Sequence, residues 1–478
     1  LETPLIDALK KHLKQRPFSL HVPGHKNGEF FHPSMSDFSS VFTYDLTELE
    51  GLDDLHAPTG VIQEAQQAVS RLYNTKESLF LVGGTTVGNI AMMYGLFEPG
   101  DTIFIQRNSH KSIFHAVQIA DLTPALLTPE FDAKTGLAVG LTLETLKEAI
   151  NLYPEAKGLV LTYPNYYGSS LNINQLISYA KQQGLLVLVD EAHAPHYCLG
   201  MPFPPSALEQ GADITVQSAH KMLPALTMSS FLHMSNKLPD SMQQRVKEAL
   251  TMFQSSSPSY LLMASLDGAR AYVESLDKKK INEIMAGIQQ VKEELALIKQ
   301  IQVVEWDESY LLDPLKVTIR TTTKLSGFEL QKIFYKHCLY TELADDKHVL
   351  LVFGLGKSQL PMEVIRNLAK DLSQYEVLDQ EFNKKPISFS RRVKKLELTA
   401  KQIRSLRKKR ILLEEAIGYV AAEAIIPYPP GVPIVLPGEK LDESVISEIQ
   451  TLKRAGARFQ SEKEVTDVLV IDSEEENE

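Results

Sequence analysis

An alternation between about residues 75 and 235 narrows the possible folds of this 478-residue chain more than any other feature. Short apolar runs are separated there by segments whose apolar residues recur at helical spacing. The runs include Ser78-Leu-Phe-Leu-Val82, Thr102-Ile-Phe-Ile105, Lys157-Gly-Leu-Val-Leu161, Leu185-Leu-Val-Leu-Val189 and Asp213-Ile-Thr-Val216. Unbroken apolar runs of this length are strands covered on both faces, and amphipathic helices are what cover them. The pattern predicts a doubly wound α/β fold with a mainly parallel sheet. In such sheets ligands sit beyond the carboxyl ends of the strands.

Five strand exits then become informative. Gly83-Gly84-Thr85-Thr86 follows the first run, where glycines let backbone N–H groups approach an anion and two threonines add hydroxyls. Arg107-Asn-Ser-His110 follows the second, and a histidine there can stack on a flat ring. Tyr163 closes the third, suited to a pocket wall. Asp190-Glu-Ala192-His193 and Gln217-Ser218-Ala-His220-Lys221 close the last two. Taken singly, each has a plain reading: glycine turns occur in any α/β protein, a loop histidine satisfies carbonyls, and a lysine after a strand is solvated. Together they place an acid on one strand and a lysine on another. That pair is what pyridoxal phosphate (PLP) requires: Lys221 for a Schiff base, and Asp190 to keep the pyridine nitrogen protonated.

The chain exceeds the size of one core, so two or three domains are expected. We read residues 1–60 as an N-terminal arm, 61–300 as the large domain and 301–478 as a smaller C-terminal α+β region ending in an acidic tail. A net charge of −11 argues against a nucleic-acid partner. No apolar run approaches ~18 residues, so no membrane span is expected. The opening residues are amphipathic and charged, unlike a signal peptide. Cys198 and Cys338 have no metal-ligand spacing, and a reducing, cytoplasmic setting is the natural reading. Downstream, Gln254-Ser255-Ser256-Ser-Pro-Ser-Tyr260 is a hydroxyl-rich loop, either a helix cap or part of a phosphate site across a dimer interface. Helices are expected over 261–276, 277–299 and Leu396–Arg410, the last with a solvated basic face. Prolines make 426–439 rigid and extended.

In order along the chain, these motifs resemble the fold-type I PLP-dependent Orn/Lys/Arg decarboxylase family. The matching pieces are His21-Val-Pro-Gly-His-Lys26, Asp53-Asp-Leu-His56, Arg107-Asn-Ser-His-Lys-Ser112, Asp190-Glu-Ala-His193, Gln217-Ser-Ala-His-Lys221, Ser255-Ser-Ser-Pro-Ser-Tyr260, Tyr428-Pro-Pro-Gly-Val-Pro433 and Pro437-Gly-Glu439. They are most like the compact Gram-positive members without an N-terminal wing domain. The resemblance implies an aspartate-aminotransferase-like large domain, a homodimer or higher homo-oligomer, and decarboxylation of lysine, arginine or ornithine toward polyamine synthesis or acid resistance. It gives Lys221 as the Schiff-base lysine, Asp190 as partner of the pyridine nitrogen, His110 stacked on the ring and Ala192 beneath it. Gly84, Thr85, Thr86, Ser218 and His220 resemble the phosphate site, with Ser255 or Ser256 coming from the other subunit. His193 lies near the imine as a proton donor, and Glu439 and Tyr163 would meet the substrate. The chain departs from the family at Thr86, where many relatives carry serine, and at Tyr163 and Asn165. The competing readings are transamination or aldol cleavage, which share the cofactor machinery, and a catalytically silent PLP-binding relative.

Overall fold

The computed structural model describes residues 2–356, 360–378, 392–428, 431–460 and 465–472. In chain order its main elements begin with α1 (Pro4–Lys14), α2 (Val61–Tyr73), β1 (Glu77–Leu81), α3 (Gly84–Leu96), β2 (Thr102–Gln106), α4 (Lys111–Ile119), β3 (Thr123–Leu127) and β4 (Gly158–Thr162). Next come α5 (Asn174–Gln182), β5 (Leu186–Asp190), β6 (Ile214–Gln217), β7 (Ser230–Met234), α6 (Asp240–Phe253), α7 (Tyr260–Glu274) and α8 (Lys278–Ala296). The last part adds β8 (Lys316–Thr321), α9 (Gly327–Lys336), β9 (His348–Val352), β10 (Lys408–Leu412), α10 (Glu443–Ala455) and β11 (Asp467–Ile471).

The chain forms two compact units, each built from two separated stretches. The first comprises Leu1–Phe97 and Val187–Lys279. Its strands lie in the order β1, β7, β6, β5. β7 is antiparallel to both neighbours, with Ser78 opposite His233 and Phe231 opposite Gln217, whereas β5 and β6 are parallel with Val189 opposite Thr215. Helix α3 can lie close because of two glycines. A Cβ on Gly88 would come within 2.6 Å of Leu81 and Val216 side-chain atoms, and one on Gly95 within 2.9 Å of the Arg245 carbonyl oxygen of α6. Helix α1 docks through buried Leu5 and Leu9. The N–H groups of Leu5 and Ile6, which a helix start leaves without internal partners, donate to Asp267 at 3.1 and 3.4 Å. Asp267 is itself paired with buried Arg270 at 2.8 Å.

The second unit comprises Glu98–Leu186 and Lys280–Glu478. Here β4, β2 and β3 are parallel, with Ile105 opposite both Val160 and Leu126, and Val393–Lys395 pairs antiparallel with β3. The expected small α+β element is present: β8 and β9 form an antiparallel sheet with Ile301–Val303 and Leu343–Ala344. Ser326 and Glu329 form a capping box at the start of α9. Further on, β10 and β11 pair antiparallel near a core that includes Leu413, Ile425, Val435, Ile446, Ile449, Val468 and Val470.

Two sequence expectations need correction. The basic run Leu396–Arg410 is a short helix, Ala400–Ser405, followed by strand β10. The charges that resemble a helix face meet acids near the strand pair: Arg410 bonds Asp467 at 2.6 Å and Glu423 at 3.0 Å, and Lys409 bonds Asp472 at 2.9 Å. The segment 426–439 doubles back rather than running extended. Ile425 bridges Val435, and the Gly431 N–H donates to the Pro427 carbonyl with Gly431 at φ +89°. Pro429, Pro430 and the acidic tail Ser473–Glu478 lie outside the described residues. Among those described, no helix is long and apolar enough to cross a membrane.

Candidate active site

In the first unit, β5 delivers Asp190 at its carboxyl end, where it is buried. Asn89 Nδ2 on α3 donates to Asp190 Oδ2 at 2.9 Å, and the Ala192 N–H donates to Oδ1 at 3.2 Å. Burial raises the Asp190 carboxyl above its ordinary range, against the pull of the Lys221 charge, the Asn89 amide and the Ala192 N–H. A cationic N–H donor placed there would be strongly held. The sequence motifs did not flag Asn89. The available signal was a lone amide in an otherwise apolar helical run of Val87, Ala91, Met92 and Met93.

Lys221 follows β6 in the one-turn helix Ala219–Met222, with Ser218 at its cap position. Lys221 Nζ lies 3.0 Å from His193 Nε2, so the lysine and the expected proton donor are brought together. The Ser218 N–H donates to the Ala192 carbonyl at 3.2 Å and ties the two turns. Thr85 Oγ1 is hydrogen-bonded to Ser218 Oγ and lies 3.3 Å from Ser230 Oγ. Gly84 sits at φ +73°, and a Cβ there would meet nothing nearer than the Met228 carbonyl at 4.0 Å, so the turn is open to a ligand. No side chain caps α3; the Gly84 N–H donates to the Met228 carbonyl at 2.9 Å, which leaves the first-turn N–H groups after it to meet an anion. Thr86 is exposed beside them. His220 Nδ1 bonds the Ser229 carbonyl at 3.0 Å, and burial lowers its pKa. Its Nε2 is therefore a donor only on a protonated ring. Ser255 and Ser256 are exposed, and the Ser255 carbonyl accepts from His56 Nε2 at 2.8 Å.

In the second unit His110 caps α4, with Nδ1 3.2 Å from the Ser112 N–H and 2.9 Å from Ser112 Oγ. Gly431 packs on this ring: a Cβ on Gly431 would fall 3.3 Å from His110 Nε2. Two expected substrate contacts have other occupations. Tyr163 is 1% exposed, which puts its ring in the packing behind a wall rather than on its surface. Glu439 is 3% exposed and already accepts from Arg107 at 3.0 Å, Lys394 at 3.2 Å and the Leu436 N–H at 3.1 Å. Arg107 also donates to the Pro433 and Ile434 carbonyls at 2.8 Å, so this ion cluster pins the 431–439 segment beside the His110 turn.

The fold is that of fold-type I PLP-dependent enzymes. The Francisella novicida lysine decarboxylase LdcF matches at a TM-score of 0.80 with 20% identity, covering 98% of this chain and 81% of that one. Sphingomonas wittichii serine palmitoyltransferase matches at 0.54 with 14% identity, covering 78% of this chain and 84% of that one. Residues 3–308 match the Orn/Lys/Arg decarboxylase major domain, and residues 378–462 match the Orn/Lys/Arg decarboxylase C-terminal domain. The chain belongs to the Orn/Lys/Arg decarboxylase family, an enzyme family. It is 44% identical over 95% of its length to the uncharacterized protein YaaO of Bacillus subtilis (strain 168), covering 94% of that protein. It is 34% identical over 97% of its length to an arginine decarboxylase of the same strain, covering 96%, and 25% identical over 95% to the Hafnia alvei lysine decarboxylase, covering 75%.

Proposed function

We propose that this chain decarboxylates a basic L-amino acid, using PLP held at Lys221. The observation that carries the reading is the contact between Lys221 Nζ and His193 Nε2 at 3.0 Å, beside a buried Asp190 already oriented by Asn89. The donor set suits the cofactor: a buried acid for the pyridine nitrogen, and an uncapped helix start with the hydroxyls of Thr85, Thr86 and Ser218 for the phosphate. Bound PLP supplies an electron-poor pyridinium that takes up the electron pair left when CO2 departs from Cα.

The chain's own residues do the rest. Asp190 holds positive charge at the ring nitrogen in a site where burial strengthens the pair. His193 shares a proton with Lys221 Nζ, so the lysine can act as an amine and either group can return a proton at Cα. His110, fixed by Ser112, offers a ring face for stacking. His220 shapes the turn that presents Lys221 and reaches the phosphate only when protonated. We assign Glu439 to positioning rather than to the substrate's distal cation, because Arg107 and Lys394 already occupy it. Arginine is the first substrate to try, since relatives covered almost end to end bear that name. A homodimer in the cytoplasm fits the free Cys198 and Cys338 and the exposed Ser255–Ser256 loop.

The test is CO2 release from purified protein plus PLP with L-arginine, L-lysine and L-ornithine, read beside the visible absorbance of bound cofactor. Lys221→Ala is expected to lose both the absorbance band and turnover. Normal turnover in that variant would overturn the assignment.

A further inference from the structure

The strands of the first unit carry a polar line that the proposed reaction does not use. The two-residue period of a strand puts Ser78, His233 and Gln217 on one face: Ser78 lies opposite His233, which is two residues from Phe231, the partner of Gln217. Extending the β5–β6 register by one residue sets Glu191 beside Gln217 on that face and Asp190 on the other. Ser78 is 1% exposed, and His233, Gln217 and Glu191 are 0% exposed. They are joined end to end. Thr75 Oγ1 lies 2.7 Å from Ser78 Oγ, and Ser78 Oγ lies 2.8 Å from His233 Nδ1. His233 Nε2 lies 3.1 Å from Gln217 Oε1, and Gln217 Nε2 donates to Glu191 Oε2 at 2.8 Å. The other Glu191 oxygen accepts the Ala207 N–H at 2.7 Å.

Burial raises the Glu191 pKa to about 8, and with Glu191 ionised above that pH the hydrogens have one consistent placement. Gln217 turns its amide nitrogen toward two acceptors, the Glu191 carboxylate and, at 3.5 Å, the Ala194 carbonyl. Its Oε1 must then accept from His233, which puts the ring proton on Nε2. Nδ1 becomes an acceptor, Ser78 donates to it, and Thr75 donates to Ser78. Burial lowers the His233 pKa to about 3, so the ring is neutral. Every bond in the chain points toward Glu191.

We propose that Glu191 is a positioning residue: as the common acceptor of this chain and of the Ala207 N–H, it clamps the turn bearing Ala192 and His193 to the turn bearing Ser218 and Lys221. The backbone supports the clamp, since the Glu191 N–H donates to the Val216 carbonyl at 2.9 Å. The bearing on catalysis rests on the reading of Lys221 above; the chain of bonds does not.

Two measurements test it. Nitrogen-15 NMR of cofactor-free protein, recorded above the Glu191 titration at about pH 8, should show His233 as the Nε2–H tautomer alone. An Nδ1–H tautomer overturns the proposal. Glu191→Gln turns one acceptor into a donor facing a donor. It should weaken PLP affinity, read by absorbance titration, about tenfold and lower kcat with little change in KM. Native affinity and kcat would sink the proposal. If that variant does not fold, Gln217→Met decides. It removes the acceptor that holds the proton on Nε2 and should turn the single tautomer into a mixture, and an unchanged tautomer overturns the chain. Wild-type protein with neither absorbance nor CO2 release would defeat the reading of Lys221 while the tautomer result still judges the network.

Discussion

Asp190 and His233 show opposite uses of burial. Asp190 is buried with donors aimed at it, so a charge can be kept there for a ligand. Asp190→Asn keeps the shape and removes the charge, and kcat should fall at least about a hundredfold, measured by CO2 release with saturating PLP. His233 is buried neutral, with its pKa lowered from 6.5 to about 3. Between those values the unfolded chain binds a proton that the folded one refuses, so stability rises with pH across that window. Denaturant unfolding should lose up to about 1.4 kcal/mol for each pH unit of acidification inside it, and His233→Gln should remove that part of the slope. Asp190 and Lys221 were legible in the sequence because their chemistry is rare at strand exits. Glu191 and His233 were not. A carboxylate beside a flagged carboxylate reads as part of the same motif, and only the strand pairing shows that the two face opposite sides.

Helices and strands were legible wherever one periodicity dominated: α7 and α8 fall where the apolar spacing puts them. The failure at β10 has a physical cause, since Lys408, Lys409 and Arg410 carry no apolar signal and their fate depends on acids more than a dozen residues away. At this scale close approach is the sensitive variable. Gly95→Ala would drive a methyl against the α6 backbone at Arg245 and Val246 and should cost about 1–3 kcal/mol in denaturant unfolding. Arg107→Ala would leave buried Glu439 with Lys394 and the Leu436 N–H but without its guanidinium, at a cost of about 3–5 kcal/mol. Adding Glu439→Ala should recover part of that loss, and a double variant as unstable as the two singles summed would count against the pair.

For the molecule as a whole, the fold class followed from strand–helix alternation, whereas the assignment of each stretch to a compact unit did not, because each unit joins stretches far apart in the sequence. Residues 18–44 expose Phe18 at 80%, Leu20 at 86%, Val22 at 66% and Phe30 at 65%. Apolar side chains this open on one segment call for a cover. Sedimentation should therefore show a dimer or larger, and Phe18→Asp with Leu20→Asp should shift it toward monomer; a wild-type monomer would refute the arm reading. The bond from Arg107 to Glu439 has a different consequence. It joins residues 332 positions apart. On the ribosome, a guanidinium destined for the interior is made 332 residues before its carboxylate. Until then that charge belongs in water, and the strand before it cannot close. A message cut short before the Glu439 codon would yield chains that stall with this unit unfinished, prey for proteases rather than a smaller working enzyme.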